Sequence, residues 1–437
     1  MSKTIGLNRI SKTFPLPLGH DFKQRAFTWA AQHEVACYLD SNQYQGIVGS
    51  EHDCLLAVGA ASQLLLKTEP GAFDALKNFV DETPDWLFGY LTYDLKNDVE
   101  PRLSSSNFDG IGFPALHFFQ PEIVLEISGN HATIFSLRQN ANLIFEEIQQ
   151  FSQPPSPLTP HPSPLIHPRL SRSEYLGTIH AIRQHILRGD IYEMNFCQEF
   201  FAEGCEIAAT DIFQKLNQHG KAPFSTYYRL YDRYLLCASP ERFLKKTGQR
   251  LISQPIKGTA RRGKTDEEDT LLRQQLYQSP KDRSENVMIV DLVRNDLARS
   301  CRAGSVQVEE LFGIYGFQQV YQMISTVSGE LLPEVHPVDA IRRAFPMGSM
   351  TGAPKVRSME LIELYEKTKR GLYSGAVGYF TPQGGFDFNV VIRSIFYNEA
   401  DRYLSFQAGG AIVYDSVPEL EYEESLLKAQ GMFKVLS

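Results

Sequence analysis

Four carboxylates fall into two pairs of equal spacing: Asp282 with Glu285, and Glu421 with Glu424. Residues three apart share a helix face, so each pair presents two oxygen donors on one side of a helical segment. Lys428 follows Glu424 by one helical turn. Either pair alone reads as acidic residues placed for the helix dipole and left solvated. If the pairs meet, their repulsion demands a hard cation. Mg2+, which takes carboxylates, waters and an anionic substrate as ligands, fits that demand.

Three further residues have chemistry that depends on their surroundings. Lys257, in "SQPIKGTARRG", lies between Ile256 and Gly258 where an apolar run ends. It is either a surface charge or a nucleophile. Glu241, in "CASPERF", stands just past a strand. It is either an exposed turn residue or, among apolar neighbours, a carboxyl with a raised pKa suited to a general acid. Arg393 interrupts "FNVVIRSIF". Strand alternation places Val391, Arg393 and Ile395 on one face and Val390, Ile392 and Ser394 on the other. A charge there serves a structural salt bridge or clamps a carboxylate with two parallel hydrogen bonds.

Two glycine-containing stretches qualify this picture. "AGGAIV", residues 408–413, is a strand whose adjacent glycines mark a bulge or a close approach of backbone to ligand. "FPMGSMTGAPK", residues 345–355, lacks the Gly-Lys-Ser/Thr ending of a nucleotide phosphate loop, which argues against ATP binding.

These residues need long strands and a few helices to hold them. "DWLFGYLTYDL" (85–95), "HATIFSLRQN" (131–140), "RYLLCA" (233–238) and "RLISQPI" (250–256) read as strands. So do three C-terminal runs, "SGAVGYFTP", "FDFNVVIRSIFYN" and "YLSFQAGGAIVYD". Helices are expected over 141–151, from Ser171 or Ser173 to Gly189, over 284–300 and at the C-terminus. The last carries a capping-box pattern, Ser416-x-x-Glu419. Runs of strands with helices between and after indicate an α+β fold. Seven prolines between Pro154 and Pro168 make 153–171 an extended connector between 1–152 and 172–437.

Composition narrows the function classes. The 437 residues carry a net charge of −8, which argues against nucleic acid as a partner. No run approaches the about 20 apolar residues of a membrane span, and the N-terminus lacks a signal-peptide core. Six scattered cysteines suit a reducing compartment, so a cytoplasmic location is expected.

Taken in order, "GDIYEMNFCQEF", "SPERF", "PIKGT", "KDRSENVMIVDLVRNDL", "GSMTGAPKVRSMELI", "GAVGYF", "VVIRS", "AGGAIV" and "ELEYEESLLK" resemble the chorismate-utilising enzymes. That family includes anthranilate, aminodeoxychorismate, isochorismate and salicylate synthases. The likeness runs from about residue 172 to the end and is looser before 150, through "WLFGYLTYDL". It implies one large two-sheet β-sandwich with outer helices. Lys at 257 is similar to the aminodeoxychorismate synthases, whereas anthranilate and isochorismate synthases carry Ala there. Isochorismate and salicylate synthases have a water-activating Lys where this chain has Glu193. Anthranilate synthases have a His where it has Gln322, and the family's "AGxGIV" has Gly where it has Ala411. The Leu-Glu-Ser segment of a tryptophan pocket is not visible, so tryptophan feedback is not expected.

The resemblance assigns roles. Mg2+ would sit between Glu285 and Glu424, with Asp282 and Glu421 holding its waters. Thr259 and the amides of Gly409, Gly410 and Ala411 would bind the ring carboxylate of chorismate, with Lys428 in the same substrate-binding set. Arg393 and Tyr379 would take the enolpyruvyl carboxylate. Glu241 would protonate the departing hydroxyl on ring carbon 4 while Lys257 attacks carbon 2. Burial, Mg2+ and a nearby arginine would lower the lysine's pKa. Ammonia, supplied by a separate glutamine amidotransferase subunit, would displace the lysine to give 4-amino-4-deoxychorismate. The alternatives are anthranilate synthesis and a catalytically silent regulatory subunit.

Overall fold

The computed structural model describes residues 9–16, 21–44, 52–137, 140–151, 162–318 and 320–437. Most of the proline-rich connector, 153–161, lies outside the described residues. Its remainder pairs His167–Pro168 with the strand Glu193–Ala202. The expected α+β class holds: twenty strands form one antiparallel network, flanked by eleven α-helices among the described residues.

Period-two alternation organises the network into layers. In Cys54–Leu66, Leu55 and Ala57 join one core while Cys54, Leu56 and Val58 join another. In Arg233–Ser239, Leu235 and Cys237 face the first core, and Tyr234, Leu236 and Ala238 the second. Successive side chains leave a strand on opposite faces. Such strands are apolar on both faces and require cover on both. One face meets the opposing sheet. The other is covered by Phe22–Ala30, Ala141–Gln150, Ala209–Gly220 and Pro418–Leu436.

The strand Leu116–Ser128 joins the two sheets. One edge pairs along Cys54–Leu66; the other is split between Leu87–Leu91 and His131–Ser136. One sheet continues from Cys54–Leu66 through Val35–Asp40, Phe224–Leu230, Arg233–Ser239, Ser394–Asn398 and Tyr403–Ile412 to Glu193–Ala202. The other runs from Leu87–Leu91 through Ala376–Phe380, Phe386–Val390, Arg242–Thr247 and Arg250–Gln254 to Val320–Glu330. Residues from both sides of the connector therefore share each sheet.

The chain changes sheets at two places that matter. It crosses at Pro240–Glu241, between Arg233–Ser239 and Arg242–Thr247, and again at Val391–Arg393, between Phe386–Val390 and Ser394–Asn398. The crossings are tied together. The Val390 amide donates to the Glu241 carbonyl at 3.0 Å, and the Ala238 amide to the Arg393 carbonyl at 3.2 Å. Arg393 is thus not part of a continuous alternating strand. It has φ 55°, the left-handed region that non-glycine residues seldom occupy.

Helix starts follow local chemistry, with two corrections. Ser171 caps Arg172–Leu187 in a full capping box with Glu174. Ser279 caps Pro280–Ala298, which begins four residues earlier than the pattern suggested. At the C-terminal helix the expected Ser416 box does not form. The cap is Val417 and the first helical residue is Pro418, which has a preset φ and no amide hydrogen to satisfy. Ser416 instead accepts from the Val413 amide.

Candidate active site

Lys257 is placed by a bulge. Along Val320–Glu330 the strand Ile256–Arg261 pairs Ile256 with Ile324 but Thr259 with Gln322, so one extra residue is accommodated at Lys257–Gly258. Gly258 has φ 97°, and a side chain there would press on Asp282 at 3.1 Å. A bulge of this kind re-aims a side chain. Lys257 Nζ reaches Glu193 Oε1 at 2.7 Å, and the two side chains are only 10% and 1% exposed. Burial alone would lower the lysine's pKa. The negative charges of Glu193, Glu285 and Glu241 outweigh it, and the pKa is raised. The expectation of a depressed value is not met, because carboxylates rather than an arginine surround the ammonium.

Glu241 behaves as a buried acid. It is 4% exposed, and burial pushes its carboxyl up to about 7. Hydrogen bonds from Ser349 and the Ile256 amide, and the charge of Lys257, hold it from rising further. Ser349 Oγ donates to Oε1 at 2.6 Å. The exposed-turn alternative is thereby excluded.

The two carboxylate pairs come together around lysines. Lys281 Nζ lies 3.9 Å from Glu285 Oε1, and the charges of Glu285, Glu421, Glu424 and Asp282 all act on it. Lys428 Nζ lies 2.6 Å from Glu424 Oε1 and 3.0 Å from the Gly409 carbonyl oxygen. Lys428 holds the Glu424 carboxyl below its usual range, while burial raises Glu285 and Glu421. Gly410 faces this group: a methyl there would stand 3.5 Å from both Glu421 Oε2 and Glu424 Oε1. Four hard oxygen donors beside a side-chain-free backbone suit a divalent cation of the magnesium type. Among the described residues, however, no three acidic, imidazole or thiol groups lie close enough together to hold a metal.

The remaining expected substrate residues divide. Gly409, Gly410 and Ala411 pair with Cys197, Phe196 and Asn195 in the strand Tyr403–Ile412, beside the carboxylates. Arg393 is partly buried, desolvation lowers its pKa, and its guanidinium donates to the Lys428 carbonyl. Thr259 is exposed on Ile256–Arg261. Tyr379 is elsewhere: its ring packs with Trp86, Phe88 and His52 at centroid separations of 5.7, 5.6 and 6.2 Å. The tyrosine whose charge bears on Arg393 is Tyr373. Its hydroxyl lies 3.3 Å from Cys197 Sγ. Ser349, Lys281 and Glu193 join the site although the spacing of charged residues did not single them out. Ser349 does lie inside the quoted "GSMTGAP" motif, the only signal that pointed to it.

Arg261 and Arg262 point away from this chemistry. Arg261 pairs with Glu268 at 2.5 Å and Arg262 with Asp269 at 2.6 Å, at the start of the helix Asp266–Gln278. Lys355, the lysine of the rejected phosphate loop, is bound to Asp296 at 2.7 Å.

Residues 27–434 match the family model described as chorismate binding enzyme. The chain belongs to that family. It is 32% identical over 371 residues to aminodeoxychorismate synthase component 1 of Bacillus subtilis, covering 81% of this chain and 78% of that one. It is 42% identical over 269 residues to a probable chloroplastic aminodeoxychorismate synthase of Oryza sativa, covering 61% of this chain but 30% of the relative. The family's fold is also seen in anthranilate synthase component I from Streptococcus pneumoniae, with a TM-score of 0.76 and 26% identity. That superposition covers 90% of this chain and 94% of the other.

Proposed function

We propose that the protein is the chorismate-using component of an aminodeoxychorismate synthase. The observation that carries this reading is the buried lysine. Lys257 pairs with Glu193 and lies within electrostatic reach of the buried acid Glu241 and of Glu285 and Glu424, at a position where family members of other activities are expected to carry alanine.

The residues divide the work as follows. Arg393 anchors one carboxylate of chorismate, with Tyr373 beside it. The amides near Gly409–Ala411 face the ring carboxylate together with Lys428. Glu285 and Glu424 would hold Mg2+, with Asp282 and Glu421 behind them; the ion, when bound, neutralises negative charge next to the ring carboxylate. Lys257 attacks ring carbon 2, and Glu241 gives its proton to the hydroxyl leaving carbon 4. A carboxyl that titrates near 7 suits proton donation at neutral pH. Ammonia then adds at carbon 4 and the lysine departs.

A glutamine amidotransferase subunit is the proposed ammonia source, and 4-amino-4-deoxychorismate, the p-aminobenzoate and folate precursor, the proposed product. The proposed compartment is the cytoplasm. All six cysteines are unpaired, and no described helix is long and apolar enough to cross a membrane. The test is to supply the purified protein with chorismate, Mg2+ and ammonia, with and without an added lyase. Release of p-aminobenzoate only with the lyase is expected. Anthranilate or isochorismate as the main product would overturn the reading.

A further inference from the structure

We propose that Glu193 is the proton acceptor that readies Lys257 for attack. This rests on the reading of Lys257 as the nucleophile. An ammonium has no lone pair, so one proton must leave before a bond to carbon can form. Glu193 Oε1 is 2.7 Å from Nζ, close enough for direct transfer without a relay.

Glu193 is held where it is. It is the first residue of Glu193–Ala202, pairs with Ala353 across the sheet, and its carbonyl accepts from Ser358 Oγ at 3.1 Å. Its second oxygen, Oε2, is buried without a hydrogen-bond partner. That oxygen has no competing donor, so the carboxylate has an open position for a proton passed from Nζ. The other nearby carboxylates are engaged: Glu241 accepts from Ser349 and must itself be protonated to act, and Glu285 lies beside Lys281.

Moving the proton converts a buried ion pair into a neutral acid and a neutral amine. Two buried charges lose solvation, and a substrate that closes the site removes the remaining water, favouring the neutral pair. The step balances. Glu193 takes one proton, the amine lone pair forms the N–C2 bond, the ring double bonds shift, and the C4–O bond breaks as Glu241 protonates the leaving hydroxyl to water. When ammonia displaces the lysine, the amine leaves neutral and recovers its proton from Glu193.

The experiment mixes the protein with chorismate and Mg2+ without ammonia and times the Lys257 adduct by intact-protein mass across a pH series. Glu193→Gln removes the acceptor and also a charge that raises the lysine's pKa; loss of the acceptor is expected to dominate and slow adduct formation about tenfold or more at neutral pH. The deficit should shrink as pH rises and solvent takes the proton instead. Glu193→Asp, which keeps a carboxylate, should recover part of the rate. Glu193→Ala gives the same readout if the glutamine variant does not fold. Wild-type rate and pH dependence in a folded variant lacking the carboxylate would overturn the proposal. No adduct on Lys257 in the unmodified protein would instead overturn the covalent reading beneath it.

Discussion

Ser349 Oγ donates a 2.6 Å hydrogen bond to Oε1 of Glu241, and both side chains are buried. The bond stabilises the carboxylate form against a burial effect that pushes the group up to about 7. Removing the donor therefore favours the acid form. Ser349→Ala is expected to move the alkaline limb of the kcat/KM profile to higher pH, because protonated Glu241 persists further. An alkaline limb unmoved in the variant would show that Glu241 does not set it.

The same shift has a stability consequence of defined sign. A carboxyl raised from 4.5 to about 7 in the folded protein stabilises it fully below pH 4.5 and loses that contribution as pH rises toward 7. Glu241→Gln, which has no charge to bury, should melt higher than the parent at pH 8 and show little difference near pH 4.5. Paired Tm measurements at the two pH values check this. Turnover should fall on the order of a hundredfold or more in the same variant, since the proton donor is gone.

Lys257 is needed by its neighbour as well as by the reaction. Deleting one partner of a buried pair leaves the other charge uncompensated, typically costing about 3 kcal/mol or more. Lys257→Ala should therefore abolish the adduct and also destabilise the fold. Adding Glu193→Gln should restore much of the lost stability but none of the activity. Urea unfolding of the two single variants and the double variant gives the interaction directly; additive effects would show that the 2.7 Å contact is not a working pair.

The sequence showed the chemistry more clearly than its placement. The carboxylate pairs were legible because helix spacing places them on one face, and Glu241 because it ends a strand. Arg393 was misplaced by period-two reasoning. "FNVVIRSIF" alternates well, but the chain changes sheets there and the arginine adopts φ 55°. Tyr379 and Tyr373 lie six residues apart, and only the crossing at Val391–Arg393 decides which one approaches the guanidinium. The Ser374 amide donates to the Val391 carbonyl, drawing Tyr373 rather than Tyr379 toward it. The lysine's raised pKa was out of reach because Glu193 is 64 residues away in sequence.

Adjacent glycines on Tyr403–Ile412 should respond oppositely to alanine. A methyl on Gly409 would lie 1.9 Å from the Phe196 carbonyl oxygen, on the neighbouring strand. Backbone cannot yield there, so Gly409→Ala should destabilise by about 3 kcal/mol. A methyl on Gly410 meets Lys428 Nζ at 3.4 Å and the Glu421 and Glu424 oxygens at 3.5 Å, ordinary contact distances. Gly410→Ala should keep its Tm but require more Mg2+ for half-maximal activity. Equal Mg2+ requirement in the folded variant would separate Gly410 from the cation.

Arg393 is desolvated and backbone-strained, two costs to stability, and its guanidinium is tethered to the Lys428 carbonyl. Left-handed backbone costs a non-glycine residue about 1 kcal/mol, and glycine adopts it freely. Arg393→Gly should therefore be close to the parent in Tm, the relieved strain offsetting lost packing. Chorismate binding should nonetheless weaken severely, because the guanidinium that would grip a carboxylate is gone. Arg393→Lys keeps the charge but not the two-pronged geometry, so its KM should rise about tenfold or more. That is the loss of about 1.4 kcal/mol expected for one charge-assisted hydrogen bond. Steady-state kinetics on both variants checks the pair of expectations. A lysine variant with unchanged KM would show that charge alone holds the substrate.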